Sequence, residues 1–295
     1  QIEWTYAVTF PSFEGVFSPI ILSYIDSFGK SHVIQPGVDK MVKLNCKWAD
    51  LHDLNNSDKK IAVMLYNYPP GKAEIGASYL DVFNSTFELL LNLYLQGYDI
   101  GGYVQYLNYY NNTYEWLINS TQSYAINGTL TNLISLYNLT RMIFDMNNKG
   151  SWASGLLEKY VEENWDNLMA NHQLISLEDF EHLTSDIRDE LYNKLIGYWG
   201  DNLGPAMVYN KTDEHYIVIP GKWFGKIFLT FQPSRGWEEL KTIENYHDLT
   251  LPPTQYYVSY YKWLDKTAKV NAIVNMGTHG TLEWLPGINL GAFPG

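Results

Sequence analysis

Lys59-Lys60-Ile61-Ala62-Val63-Met64-Leu65-Tyr66-Asn67-Tyr68-Pro69-Pro70-Gly71-Lys72 is the stretch whose reading decides the fold class. Two lysines lead into an unbroken apolar run from Ile61 to Tyr66, which has the length and continuity of a strand covered on both faces. The Asn-Tyr-Pro-Pro-Gly-Lys cluster then breaks it into a loop. Downstream, Leu80, Phe83, Phe87, Leu90, Leu91 and Tyr94 recur at three and four, predicting a helix over 77–95 that returns the chain. Gly97-Tyr98-Asp99-Ile100 then predicts the start of another strand. A β-loop-α-β unit of this kind belongs to an α/β fold with parallel strands.

Working outward toward residue 1, short apolar segments (Tyr6 to Phe10, Val16 to Tyr24, His32 to Ile34) are cut by Pro11, Gly15, Pro19, Gly29 and Pro36, and an amphipathic stretch runs from Val38 to Leu51. The pattern predicts short strands followed by one helix. In the other direction, 104–198 shows helical spacing with little β alternation. Trp152, Leu156, Tyr160, Val161, Trp165 and Leu168 predict one helix, and Phe180, Leu183, Ile187, Leu191 and Leu195 a second. Ser176 and Asp179 are spaced as a capping box for that second helix. The chain then reads as β again, with Tyr216 to Ile219 and Gly225 to Phe231 expected to pair as a hairpin about Pro220-Gly221. Tyr256 to Leu264 is an aromatic-rich helix, and Val270 to Met276 a strand opening into Gly277-Thr278-His279-Gly280. The expected architecture is a layered α/β domain with parallel β-α-β elements and a β-hairpin, built from 1–103 and 200–295, with a mainly helical insertion at 104–199. In such sheets ligands gather beyond the carboxyl ends of the strands, so the loops after the Ile61 and Val270 strands are the first places to look.

Composition narrows the function classes. The 295 residues are 46% hydrophobic, enough for a sizeable core and incompatible with wholesale disorder. A net charge of −12 without a basic cluster argues against a nucleic-acid or anionic-membrane surface. Cys46 is the single cysteine, which rules out an internal disulfide, a Cys-based zinc site and a CxxC redox pair, and it reads as a buried small hydrophobe. The longest apolar stretches, Phe17 to Ile25 and Leu89 to Leu95, fall short of the roughly 20 residues a bilayer requires. Gln1 in place of an initiator Met, with no leader-like stretch after it, reads as a piece or processed product of a longer chain. Asn-x-Ser/Thr triplets at Asn55, Asn84, Asn111, Asn119, Asn127, Asn138 and Asn210 fit either glycan acceptors or an Asn-rich composition.

Several groups could carry chemistry. His279 and Glu283 are four apart, and a helical turn starting at the glycine loop would aim imidazole and carboxylate at one point, suited to proton transfer or to a divalent cation. No second His follows, so a complete zinc site is not written here; on spacing alone a helix-capping loop, with a hydrogen-bonded His and an exposed Glu, is the commoner reading of the pair. Tyr246-His247-Asp248, ahead of Leu251-Pro252-Pro253, offers a second polar group or an ordinary turn. In Gln232-Pro233-Ser234-Arg235-Gly236, Arg235 could take a carboxylate in bidentate fashion or simply fix its loop. Neither Gly71-Lys72 nor Gly221-Lys222 has Walker spacing, so any ATP is bound by another chain. Glu162-Glu163 and Glu238-Glu239 read as solvated faces.

Taken in order, Tyr66 to Lys72 with Ile75-Gly76-Ala77-Ser78-Tyr79-Leu80, then Gln232 to Gly236, Tyr246-His247-Asp248 with Leu251-Pro252-Pro253, and Gly277-Thr278-His279-Gly280-Thr281-Leu282-Glu283-Trp284-Leu285-Pro286-Gly287 resemble the CobN / magnesium chelatase H-subunit family. The resemblance implies the tetrapyrrole-binding large subunit of an ATP-dependent metal chelatase. Such an enzyme inserts Co²⁺ into a corrin precursor or Mg²⁺ into protoporphyrin, with an AAA+ ATPase subunit and a subunit bearing a metal-binding adhesion domain as partners. The Tyr-His-Asp and Leu-Glu-Trp-Leu-Pro-Gly forms look closer to the cobalt type, with nickel and magnesium open. Glu283 and His279 then become the base and transient metal ligands, because insertion strips pyrrole N–H protons and sheds water from the cation. Arg235 and Lys72 would pair with acidic substituents of the macrocycle, with Tyr68 and His247 also in its site. A cytoplasmic location is the family expectation.

The chain also departs from the family pattern. Where the cobalt type continues Pro-Pro-Pro-His-His-Tyr it has Pro252-Pro253-Thr254-Gln255-Tyr256, and Ile288 follows Gly287 where Lys is usual. These losses and the Asn-x-Ser/Thr triplets motivate a second reading, a catalytically decayed tetrapyrrole-binding or cell-surface module, and a third in which the motif loops only pack. Family members are much longer, so insertion is expected of the full assembly rather than of this piece alone.

Overall fold

The computed structural model describes residues 20–66, 80–101, 124–126, 129–131, 155–233 and 251–277. The chain divides into two compact units, Gln1–Asp53 with Pro286–Gly295, and Leu54–Leu285. In the first, β1 (Ser23–Ile25) and β2 (Ser31–Val33) form an antiparallel hairpin, followed by α1 (Gln35–Asp53). The Asp26 carboxylate takes the backbone N–H groups of Phe28 and Lys30, each at 2.9 Å, and so closes the turn. The helix expected over 38–51 begins earlier because Pro36 is tolerated in a first turn. Cys46 is exposed on α1, not buried as its type suggested, because Gly37 is the single buried residue of that helix.

The second unit runs β3 (Ile61–Leu65), α2 (Val82–Leu95), β4 (Tyr124–Ile126), β5 (Thr129–Thr131), α3 (Leu156–Ala170), β6 (Leu174–Ile175), α4 (Leu177–Thr184), α5 (Asp189–Trp199), β7 (Val208–Lys211), β8 (Glu214–Val218), β9 (Gly221–Phe224), β10 (Ile227–Phe231), α6 (Gln255–Lys266) and β11 (Ala272–Met276). Its main sheet has the order β11-β3-β10-β9, with β3 parallel to both neighbours and β9 antiparallel to β10. A second sheet has the order β6-β8-β7. The fold is α/β, with the parallel core that the Ile61 run called for.

Every residue of β3 and β10 is buried, as continuous apolar strands require when both faces are covered. On one face Phe228 packs on Trp263 of α6, with ring centroids 5.1 Å apart. On the other, the Thr86 hydroxyl of α2 lies 3.1 Å from the Met276 sulfur. Between α2 and β7 the described residues are mainly helical, and Val161, Leu168, Phe180 and Leu195 from α3 to α5 join the same buried cluster as β3 and β10.

Three local expectations are corrected. The segment 97–100 is not a strand: Gly97 and Gly101 have φ of +84° and +70°, and the Asp99 carbonyl accepts from Lys226 N at 2.9 Å, so it clamps the β9–β10 turn instead. The expected hairpin between 216–219 and 225–231 does not form. β8 pairs with β7 through Tyr216 opposite Tyr209, β10 pairs with β9 through Ile227 opposite Phe224, and Pro220 links the two sheets. The helix expected from Phe180 to Leu195 is two, α4 and α5, and the break lets Asp186 meet Lys262 and Lys266 of α6 at 2.6 and 2.9 Å. The capping box stands as read: Asp179 N donates to Ser176 Oγ at 3.1 Å and Ser176 N to Asp179 Oδ2 at 3.0 Å.

Candidate functional site at the carboxyl ends of the parallel strands

Phe231, Leu65 and Met276 are the last residues of β10, β3 and β11, and they stand opposite one another in register. The next residues are tied across the same edge, with Gln232 N donating to Leu65 O at 2.8 Å and Tyr66 N to Met276 O at 3.1 Å. Gln232, Tyr66 and Gly277 therefore leave the sheet in a row. Neighbouring strands lie about 4.8 Å apart, so the outer two departures are roughly 10 Å from each other. Parallel pairing is the cause, since it sends the segment after every strand to the same edge.

Helix α6 brings a further segment to this edge. Its Trp263 meets Phe228, its Tyr260 hydroxyl donates to Thr230 Oγ1 at 3.3 Å, and its Tyr261 hydroxyl accepts from Gln232 Nε2 at 3.1 Å. Contacts that move toward the helix N-terminus while advancing along β10 show that α6 runs antiparallel to that strand. Its N-terminus thus points to the strands' carboxyl ends. There Thr254 caps it, accepting from Tyr257 N at 3.2 Å, while Trp199 Nε1 holds Pro252 O at 3.0 Å and Gln255 Nε2 holds Gly200 O at 2.9 Å. The Leu251-Pro252-Pro253 motif is fixed at this end of the sheet by those bonds.

Among the described polar groups at this end of the sheet are the Gln232 amide and the Tyr261 hydroxyl, while the Tyr260 and Thr230 hydroxyls are buried beneath α6. Burial pushes the Tyr261 phenol above its ordinary range, against the opposing hydrogen bonds from Gln232 and Tyr257, and pushes Tyr260 up further. Both remain protonated near neutrality, able to donate. On the opposite face the Thr86 hydroxyl contacts Val82 O at 2.6 Å as well as Met276, and so pins the residue before the Gly277 segment.

The side chains singled out from sequence, Tyr68, Lys72, Arg235, His247, His279 and Glu283, lie outside the described residues. The structure brings together the departure points of their segments: His279 follows Met276 by three residues, Arg235 follows Phe231 by four, and Tyr68 follows Leu65 by three. Among the described residues no group of three or more His, Cys, Asp or Glu side chains is arranged to hold a metal. Sequence reading did not single out Gln232 or Tyr261 as individual residues, since neither an aromatic in a helix nor a Gln before Pro is distinctive without topology.

A separate open cleft of about 710 Å³ lies between the start of α4, the Asn202–Pro205 loop and the β7–β8 hairpin. Glu178, Asp213 and Glu214 line it, so its field disfavours an anionic ligand. Of the glycan-acceptor triplets, Asn55 and Asn210 are exposed, whereas Asn84 sits in the first turn of α2 with its Oδ1 buried. Glu162 and Glu163 are exposed on α3, as their pattern suggested. No helix among the described residues is long and apolar enough to cross a membrane.

The profile of the CobN/Magnesium Chelatase family matches residues 1–294. The chain belongs to this family. It is 27% identical over 292 residues to the magnesium-chelatase subunit ChlH of Oryza sativa, covering 98% of this chain and 17% of that one. It is 26% identical over 255 residues to the aerobic cobaltochelatase subunit CobN of Pseudomonas aeruginosa, covering 86% and 17%. In fold it is similar to the catalytic subunit of cobaltochelatase from Mycobacterium tuberculosis, with a TM-score of 0.65 at 23% identity over 96% of this chain and 21% of that chain. The chain spans about a fifth of the length of the relatives it matches.

Proposed function

We propose that this member of the CobN/magnesium chelatase family holds the tetrapyrrole in the large subunit of an ATP-dependent metal chelatase, at the edge where β3, β10 and β11 end. The observation that carries this reading is the row of departure points at Gln232, Tyr66 and Gly277, from which the family motifs leave one sheet edge. Separate motifs converging on one ligand is what such an edge provides.

The reaction asks for a base to take the pyrrole N–H protons and for ligands that release the cation as the macrocycle nitrogens replace them. Glu283 is assigned the proton, and His279 with Glu283 the transient hold on the cation. Arg235 and Lys72 pair with acidic substituents of the ring, and Tyr68 and His247 contact it. The cation is Co²⁺ ahead of Mg²⁺ and Ni²⁺, on the Tyr246-His247-Asp248 and Leu282-Glu283-Trp284-Leu285-Pro286-Gly287 forms. ATP is hydrolysed by an AAA+ partner, and a subunit with a metal-binding adhesion domain completes the assembly in the cytoplasm.

One observation favours a second reading, a tetrapyrrole-binding module that has lost catalysis. Thr254 and Gln255, where the cobalt-type pattern has imidazoles, are fully buried and spent on capping α6 and holding Gly200. Titration of the purified chain with metal-free porphyrin and metal-free corrinoid, read by macrocycle absorption and tryptophan quenching, tests the common part of both readings. Saturable binding to one class supports them and names the branch; no binding to either overturns the placement of the ring on this chain. Insertion by the reconstituted assembly then separates the chelatase from the decayed module.

A further inference from the structure

We infer that the outer edge of β7, with the acidic cleft beside it, docks an extended basic peptide of a partner protein, which adds a strand to the β6-β8-β7 sheet. β7 is an edge strand of that sheet. The two-residue turn Thr212-Asp213 makes Lys211 and Glu214 a hydrogen-bonded pair, and alternation makes Tyr209 and Tyr216 the next. Val218 N donating to Met207 O at 2.9 Å continues the same series. Val208 and Asn210 therefore turn their N–H and C=O groups away from β8. Among the described residues no bond takes those four groups. An outward row of this kind is a template for a further strand.

Charge selects the occupant. Val208 and Asn210 also line the cleft of about 710 Å³, so a strand laid on this edge borders it. Glu178, Asp213 and Glu214 line the cleft and no Lys or Arg does. Lys211, next along β7, points to the opposite face, where its Nζ lies 3.7 Å from the centroid of the Trp165 ring. A second copy of this chain, at a net charge of −12, would set carboxylates against carboxylates across the edge. Lys or Arg at alternate positions of an added strand instead share one face, which sets them together along the carboxylates. Leu177, 44% exposed, offers apolar surface to their aliphatic stems. None of the cleft residues is among those assigned to the macrocycle, so the inference goes beyond the chelatase reading and does not rest on it.

The test titrates the chain with a fluorescent, end-blocked peptide of alternating Lys and Thr, read by anisotropy, with thermal melting as the folding control. Expected is saturable binding that weakens about tenfold in Glu178→Gln/Glu214→Gln. The pair Glu162→Gln/Glu163→Gln removes the same charge from the exposed face of α3 and should stay within about twofold. A peptide of equal charge that is N-methylated along its backbone loses the strand bonds and should bind about tenfold more weakly. Asn210→Pro removes an outward N–H and no bond to β8, so it should weaken binding about fivefold, whereas Asn210→Ala keeps that N–H and should hold within about twofold. Bound peptide should also slow hydrogen exchange at the Val208 and Asn210 amides, which decides the point in the unaltered chain. Equal weakening by the two Glu pairs assigns the binding to net charge and overturns the inference. Full affinity of the methylated peptide, unchanged amide exchange, or no saturable binding does the same. Spermine that displaces the peptide at equal concentration makes the cleft a polyamine site and also overturns it. All of these outcomes leave the chelatase reading untouched.

Discussion

Gln232 donates its backbone N–H to the carbonyl of Leu65 at 2.8 Å, which ties the residue that follows β10 to the last residue of β3. Tyr66 in turn donates to Met276, the residue before the Gly277 segment. Segments far apart in the chain thus share one edge through two backbone bonds. Antiparallel strands would have sent alternate segments to opposite edges, so the parallel pairing of β3 with β10 and β11 is what makes a convergent site feasible.

The clamp on the β9–β10 turn gives a sharp stability test. Gly225 has φ of +55°, and a Cβ there would meet Asp99 Oδ1 and Gly101 N, both at 2.4 Å. Gly225→Ala should cost about 2–4 kcal/mol in urea unfolding, from left-handed strain plus a clash with main chain. Gly29→Ala is the control: φ is +78° with nothing within 4 Å, so strain alone applies and about 1 kcal/mol is expected. Equal effects at the two sites would show that the clamp does not constrain the turn.

Asp186 supplies a pH dependence. Its carboxyl is lowered from 3.8 to about 2, chiefly by the hydrogen bond from Lys262, with burial opposing and Lys266 adding to the lowering. A carboxyl depressed in the folded state contributes stability that is present above its unfolded value and lost as pH falls from about 4 toward about 2. The side chain is 55% exposed, so solvent screening limits the contribution to about 1 kcal/mol or less. Asp186→Asn should therefore be less stable than wild type at pH 6, with the gap closing by pH 2. A gap independent of pH would mean that the Lys262 and Lys266 contacts do not stabilise the fold through charge.

What the sequence disclosed and what it withheld divide along one line. Continuous apolar runs and helical spacing marked β3, α3 and α6 because burial on both faces, or along one stripe, is written locally. Pairing is not local. Tyr216 to Ile219 has the same alternation whether it joins β10 or β7, and only the positive φ at Thr212 and Gly225 closes the two hairpins that form. Likewise nothing near Ser185 breaks a helix by composition; the break is settled by Asp186 reaching lysines on α6. The motifs named the candidate residues, but the topology, not their spacing, sets their departure points side by side.

The polar contact that locks α6 to the sheet is testable in the core. Thr230 is fully buried, donates to Pro220 O at 2.7 Å and accepts from the Tyr260 hydroxyl at 3.3 Å. Thr230→Val keeps the shape and strands both partners, so a loss of about 1–3 kcal/mol is expected in urea unfolding. Adding Tyr260→Phe removes one stranded group and should recover part of that loss. A neutral Thr230→Val would show that the contact holds nothing in place.

Assignment of Glu283 as the base makes the most direct statement about chemistry. Glu283→Ala in the full assembly should lower the rate of metal insertion by at least about 10²-fold, the range that a positioned general base supplies. Macrocycle affinity, measured by absorption titration, should stay within about threefold, because a base acts on the transition state more than on the bound ring. Glu283→Gln separates the two roles given to this residue: the amide oxygen can still touch the cation but takes no proton at neutral pH, so insertion should remain as slow as in Glu283→Ala. An unchanged insertion rate in either variant would remove Glu283 from catalysis, and a parallel fall in macrocycle affinity would reassign it to binding the ring.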